Sequence, residues 1–248
     1  MKTTTAAETC EGIVLRSRPY RESDRLVTVY TKEFGKMTFL ARGTMKMTSK
    51  NAAGVQTLTK STLEARVTTG LSTLIRAEAK HYYPNIKQNI ACEITANYLM
   101  EYIVRYVPDN RPGQNMWDFL TGSLDALEAG YSYLIVYALI NVMMIRENGL
   151  GINVDGCALC GRTSVAGFSF VHGGFVCREH MTSRDVRMDA EDLKTLRHLV
   201  KCPVSGLDKL HSEPENLKKV IPVFETYLDD YTGIRLKTRT FAREFLEE

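Results

Sequence analysis

The chain has 248 residues, of which 44% are hydrophobic and 25% charged, with a net charge of +3. That composition excludes a disordered chain, a collagen-like chain and a disulfide-stapled scaffold, and the length suffices for two or three compact units. The charge is uneven: residues 1–86 hold 14 Lys and Arg against 7 Asp and Glu, so +7 stands on the first third and −4 on the rest. Such a split suits a basic face turned to a polyanion, and equally an ordinary solvated surface.

The opening MKTTTAAETCEGIVL carries one lysine and no continuous apolar core, so it lacks the parts of a secretory signal. From Glu11 to about Tyr83 the pattern is β-rich, in the segments GIVLRSR, RLVTVYT, KMTFLARG, STLEARVTT and TLIRAEAKHYY. Turn signals separate them at Pro19, Phe34-Gly35-Lys36 and Gly70. Five short alternating strands predict a small closed barrel, an OB-fold over residues 1–84. Gly43–Gly54 is rich in Lys, Thr and Ser without apolar periodicity, and reads as a mobile basic loop. Such barrels bind nucleic acid with cations on the backbone and aromatics on the bases. The candidate contacts are Arg16, Arg18, Arg25, Lys36, Arg42, Lys46 and Lys50, with Tyr20, Tyr30 and Phe39 nearby. Strand alternation puts Arg16 and Arg18 on one face and sets Phe39 opposite Arg42, which makes Phe39 core.

After Pro84 the period becomes helical. Ile86, Ile90, Ile94, Tyr98 and Tyr102 form the stripe of an amphipathic helix ending before Pro108, and a second helix runs from Asn115 to about Ala129. A third, Tyr131 to Asn148, is apolar on nearly all sides. It is too short to span a membrane, so it belongs at the centre of a helical domain. Further helices are expected from Ser183 or Asp189 to Lys201 and from about Glu213-Pro214, with Leu217, Ile221, Phe224, Leu228 and Tyr231 buried, before a short tail.

Between these helices, CALCGRTSVAGFSFVHGGFVCREH sets Cys157 and Cys160 two residues apart and Cys177 and His180 two residues apart, across a predicted hairpin turning at His172-Gly173-Gly174. That is the spacing of a tetrahedral structural zinc in a small ribbon or knuckle, with His172 an alternative fourth ligand. A redox dithiol would want the first pair at a helix start, whereas Gly156 and Gly161 flank it. The expected arrangement is α+β: the barrel, a helical domain of residues 85–149 and 183–248, and a zinc element of residues 150–182 inserted in it. Cys10, Cys92 and Cys202 are scattered singly, as suits a reducing cytoplasm. No enzyme motif competes: His211-Ser212-Glu213 lies downstream of the cysteines where a zinc deaminase needs it upstream, and no phosphate-binding glycine loop is present.

Three stretches, EGIVLRSRPYRESDRLVTVYTKEFGKMTFLARG, RENGLGINVDGCALCG and RLKTRTF, together resemble the RecO family of bacterial DNA repair proteins, the recombination mediators, over nearly the whole chain. The resemblance implies an OB-fold followed by a helical domain bearing structural zinc. It also implies a non-enzymatic role in the bacterial cytoplasm, at the nucleoid. That role is binding single- and double-stranded DNA, annealing complementary strands and, with RecR, helping to load RecA onto strands coated by single-stranded DNA-binding protein. A groove of the helical domain is expected to take that protein's C-terminal tail. By the same resemblance Arg42 in FLARG and Lys36 in FGKM stand where members place DNA-contacting residues. Cys157, Cys160 and Cys177 match three zinc ligands, and His180 stands where the family shows a fourth cysteine. The alternative is a zinc-ribbon and OB-fold protein that binds RNA or serves transcription.

Overall fold

In the computed structural model, which describes residues 7–68, 71–203, 206 and 210–247, the alternating segments become five strands. They are β1 (Glu8–Tyr20), β2 (Asp24–Thr31), β3 (Gly35–Ala41), β4 (Lys60–Arg66) and β5 (Ser72–His81). These close into a barrel in the order β1-β2-β3-β5-β4, antiparallel throughout except where β3 meets β5. This is OB-fold connectivity. Gly70, expected to turn the chain between β4 and β5, lies outside the described residues.

Closure depends on the length of β1. Its first half pairs with β4 and its second with β2, and a register shift between Val14 and Arg16 bends it. The shift exchanges the faces, so Cys10 and Val14 point inward ahead of it and Arg16 and Arg18 stand exposed beyond it. Val27, Val29, Met37, Phe39, Leu63, Ala65, Leu74 and Ala77 fill the interior with them. Phe39 is wholly buried there, as alternation requires, and burial of a side chain that size contributes roughly 1.5–3 kcal/mol.

The Gly43–Gly54 stretch departs from expectation. It is a run of turns tied at both ends. Gly43 N donates to Asp24 Oδ1 at 2.8 Å and Met45 N to Ser23 O at 2.9 Å. At the far end the Asn51 amide donates to Ile75 O and accepts from Ala77 N, each at 3.0 Å, as an added strand residue would. Four main-chain-directed hydrogen bonds thus replace the apolar periodicity on which sequence reading depends.

The first compact unit, Met1–Ala129, also holds helices α1 (Pro84–Gln88), α2 (Ile90–Tyr106) and α3 (Gln114–Glu128). The sequence places a domain boundary at residue 84, whereas here these helices group with the barrel. Contacts on the outer side of β2, β3 and β4 account for this. Tyr30 Oη donates to Gly113 O at 3.4 Å, Asn110 N donates to Lys36 O at 2.9 Å, and Lys60 Nζ lies 6.0 Å from the centre of the Trp117 ring. Gly35, at the β2–β3 turn, has φ +71° and no room for a side chain, since a Cβ would meet Arg111 O at 2.2 Å. The expected continuous stripe from Ile86 breaks at Asn89. Its extended backbone ends α1 and its side chain accepts from Cys92 N at 3.1 Å, capping α2 and leaving Ile90 exposed.

The second unit, Gly130–Glu248, comprises α4 (Tyr133–Glu147), the short strands β6 (Gly167–Ser169), β7 (Gly174–Val176) and β8 (Val186–Arg187), and helices α5 (Ala190–Lys201), α6 (Pro214–Thr232) and α7 (Thr238–Glu247). Every residue of α4 from Leu134 to Ile145 is buried, with α5 and α6 packed against it. Asp189, not Ser183, caps α5, its carboxylate accepting from Asp192 N at 2.9 Å. Leu217, Ile221, Phe224 and Leu228 of α6 are buried as expected, although Tyr231 is 47% exposed. The expected short tail is instead α7. Glu225, buried on α6, accepts from Tyr137 Oη at 2.6 Å and from Arg243 Nε at 2.9 Å, which ties α7 to the centre of the unit. Among the described residues no helix is long and apolar enough to cross a membrane.

Candidate metal centre and nucleic-acid interface

The candidate metal centre is assembled by a hairpin. Phe168 faces Phe175 across β6 and β7, flanked by Gly167–Val176 and Ser169–Gly174 pairs, while β8, absent from the sequence expectation, pairs with β6 on its other edge. Cys177 follows β7 directly, and the turn to His180 is closed by His180 N donating to Cys177 O at 3.1 Å. The opposing turn is closed by Gly161 N to Cys157 O and Cys157 N to Arg162 O, both 2.8 Å, and is joined to β7 by Ala158 N to Phe175 O at 2.8 Å. The flanking glycines have a steric cause. Gly161 has φ +75°, and a Cβ on Gly156 would lie 2.7 Å from Gly161 O.

These turns bring three Sγ atoms and one imidazole nitrogen within 4.8 Å of one another. His180 Nδ1 lies 3.5 Å from Cys157 Sγ and 3.4 Å from Cys177 Sγ, and Cys160 Sγ lies 3.9 Å from Cys177 Sγ. A tetrahedral ion with thiolate bonds near 2.3 Å and an imidazole bond near 2.0 Å sets donor separations of about 3.5–3.8 Å. The donor set therefore fits a metal ion. Burial opposes ionisation of Cys157, but hydrogen bonds from the Cys177, Leu159 and Cys160 backbones and from His180 outweigh it and bring its pKa down to about 5. His180 supplies the fourth donor; His172 is not part of the cluster.

On the barrel, the candidate cations separate by position along the strands. Arg16 and Arg18 are exposed on the outer side, in register with Thr28 and Leu26 of β2, which in turn face Thr38 and Leu40 of β3. Arg42, Lys46 and Lys50 are exposed in the segment that follows β3, and Arg25 is half-buried at the start of β2. Lys36 is different. Its side chain is 9% exposed, and its ammonium donates to Val104 O at 2.9 Å and pairs with Asp109 at 3.2 Å. The expectation that Lys36 serves nucleic acid yields to this internal role. Arg21, which the sequence did not single out, is exposed in the β1–β2 turn with φ +55°, its guanidinium 5.1 Å from the Tyr20 ring centre. Its place in the loop joining the first two strands of an OB barrel was the available signal.

A closed barrel of OB connectivity and a Cys₃His knuckle set in a helical unit define the class: an OB-fold protein with a knuckle whose donor set can hold a metal ion. Comparison with known proteins narrows it. Two family models match, "Recombination protein O N terminal" over residues 1–83 and "Recombination protein O C terminal" over residues 94–240. The chain is 32% identical over 240 residues to the DNA repair protein RecO of Listeria monocytogenes serotype 4b (strain CLIP80459), covering 96% of this chain and 94% of that one. It is 29% identical over 237 residues to that of Bacillus mycoides (strain KBAB4), covering 94% and 96%. It is 26% identical over 239 residues to that of Exiguobacterium sibiricum, covering 95% and 96%. The chain belongs to the RecO family of DNA repair proteins.

Proposed function

We propose that the protein is a recombination mediator without catalytic activity, acting in the bacterial cytoplasm at the nucleoid. It binds single- and double-stranded DNA, anneals complementary strands and, with RecR, helps load RecA onto strands coated by single-stranded DNA-binding protein. The observation that carries this reading is the basic surface of the barrel. Arg16, Arg18, Arg42, Lys46 and Lys50, with Arg25, stand around the β1–β2 turn and the segment after β3, and phosphates on such cations release counterions and supply affinity. Family membership supports the same reading.

The metal held by Cys157, Cys160, Cys177 and His180 is zinc. Bound there, it would act as a structural Lewis acid that cross-links the two turns. Four protein donors fill a tetrahedron and leave no position for an activated water. In the second unit, a cleft of about 580 Å³ between α5 and the start of α6 presents Tyr131, Ile135 and Leu210 beside Lys194 and His198. Its apolar residues suit the apolar end of the tail of the single-stranded DNA-binding protein, whereas Glu191, paired with Lys194 at 3.9 Å, and Glu213 share the lining and leave the tail's acidic residues to lie outside the cleft. The deciding experiment is annealing of complementary strands coated with that protein, at low salt and without nucleotide. Acceleration is expected, and a rate equal to the protein-free control would overturn the mediator reading.

A further inference from the structure

Between Arg42 and Asn51 the chain reads RGTMKMTSKN, and it carries two methionines that the nucleic-acid reading of the barrel leaves unused. The two polar anchors already described hold its ends, at Ser23 and Asp24 on one side and at Ile75 and Ala77 on the other. Between them, Lys46 N donates to Gly43 O at 3.2 Å and Ser49 N to Lys46 O at 3.0 Å, which folds the middle into consecutive turns. The result is a clamped hoop with Met47 fully exposed at its tip and Met45 43% exposed beside it. Arg42, Lys46 and Lys50 are exposed in the same segment, and exposed Arg21 stands in the β1–β2 turn to which the hoop is bonded. The acidic groups there are few. Asp24 is engaged by Gly43 N, and Glu22 is exposed in the turn.

Single exposed apolar side chains are ordinary. Two that alternate with cations along a segment held by its own hydrogen bonds have a definite chemistry. Cations meet phosphates, and polarisable thioethers meet the faces or edges of bases, as apolar wedges do in other nucleic-acid complexes. We propose that Met45 and Met47 form an apolar wedge that contacts the bases of a bound single strand, while Arg42, Lys46 and Lys50 hold its phosphates. This rests on the DNA-binding reading of the barrel and adds a base-directed component to it. The flexible thioether is sequence-tolerant, as annealing of arbitrary complements requires.

The test compares a natural oligonucleotide with an abasic one of equal length and charge, using the full zinc-loaded chain. The wild type should bind the natural strand about tenfold more tightly. Met45→Ala with Met47→Ala should bring the ratio close to one while leaving the salt slope and the thermal midpoint unchanged. Lys46→Ala with Lys50→Ala should reduce the slope by about 2 and keep the ratio. With methyl-labelled methionine, the Met47 resonance should move upfield on the natural strand and stay in place on the abasic one. A double-methionine variant with the wild-type ratio overturns the wedge, as does a Met47 resonance that responds to an acidic apolar peptide and to neither strand. A wild type that binds neither strand defeats the DNA-binding reading itself; one that binds both alike defeats the wedge alone.

Discussion

Replacing Lys36 by methionine should destabilise the first unit and leave the salt dependence of DNA binding intact, the reverse of what Arg42→Ala should do. Methionine keeps most of the apolar stem, so the change isolates the ammonium. That ammonium donates at 2.9 Å to Val104 O, in the last turn of α2, where carbonyls have no partner further along the helix. A hydrogen bond from a charged donor contributes about 1.5–3 kcal/mol, and a cation at a helix C-terminus roughly 0.3–1 kcal/mol. The ion pair with Asp109, whose side chain is 68% exposed, adds ~0.5 kcal/mol at most. The expected loss is about 2–4 kcal/mol, which moves a urea midpoint down by about 1 M or more. Arg42 is exposed, so Arg42→Ala should change stability by no more than ~0.5 kcal/mol while lowering the salt slope by about 1. Urea titration and binding isotherms at several salt concentrations measure both quantities. A Lys36→Met variant with an unchanged midpoint and a slope lowered by one phosphate contact would refute the reasoning and return Lys36 to the interface.

Three other outcomes are expected. His180→Ala should lose most of its bound zinc by elemental analysis and melt at a lower temperature, whereas His172→Ala should keep both; equal zinc in the two variants would reject His180 as the fourth ligand. Because the Cys157 thiol is held down to about 5, its contribution to stability stands above the ordinary thiol range, declines as the pH falls, and is gone below about 5. Zinc release to a chelating dye should rise as the pH is lowered, because protons compete with the metal for thiolate and imidazole, and a flat profile would contradict the assignment. Glu225→Ala removes a 2% exposed carboxylate that accepts from Tyr137 and from the half-exposed Arg243, and should cost about 1–3 kcal/mol. Glu225→Gln, which still accepts, should cost less, and a loss below ~1 kcal/mol for the alanine variant would show that the network does not anchor α7.

The barrel strands and the knuckle were legible because each has a local signature. A strand with one buried face alternates, and Phe39 showed its side by parity alone. Two ligand pairs at fixed spacing around a hairpin needed no knowledge of the rest of the chain. The grouping of α1–α3 with the barrel had no such signature, since helical periodicity says which face is buried and not what buries it. Nor did α7, whose attachment runs through Arg239 and Arg243 to carboxylates on α6, so that its sequence is polar where a buried helix would be apolar. The Gly43–Gly54 turns were hidden for the same reason, their order residing in hydrogen bonds to Asp24 and Asn51.

Lys36 and Arg42 show where local reading must stop. They are six positions apart on or just beyond one strand, and therefore on the same side of it, so the alternation that removed Phe39 from the candidate contacts treats the two cations alike. A rise of about 3.4 Å per residue separates them by roughly 20 Å along the strand. What distinguishes them is chain that arrives much later in sequence: Val104 and Asp109 meet Lys36, and Asn110 N bonds to its carbonyl. At the other end of β3 the neighbouring segment is itself basic, and Arg42 keeps its side chain in solvent. One face of β3 is thus structural where the helices of its own unit return to it, and basic and open to solvent where they do not. A basic motif on an OB strand accordingly identifies a contact residue only once the far end of the strand has been accounted for.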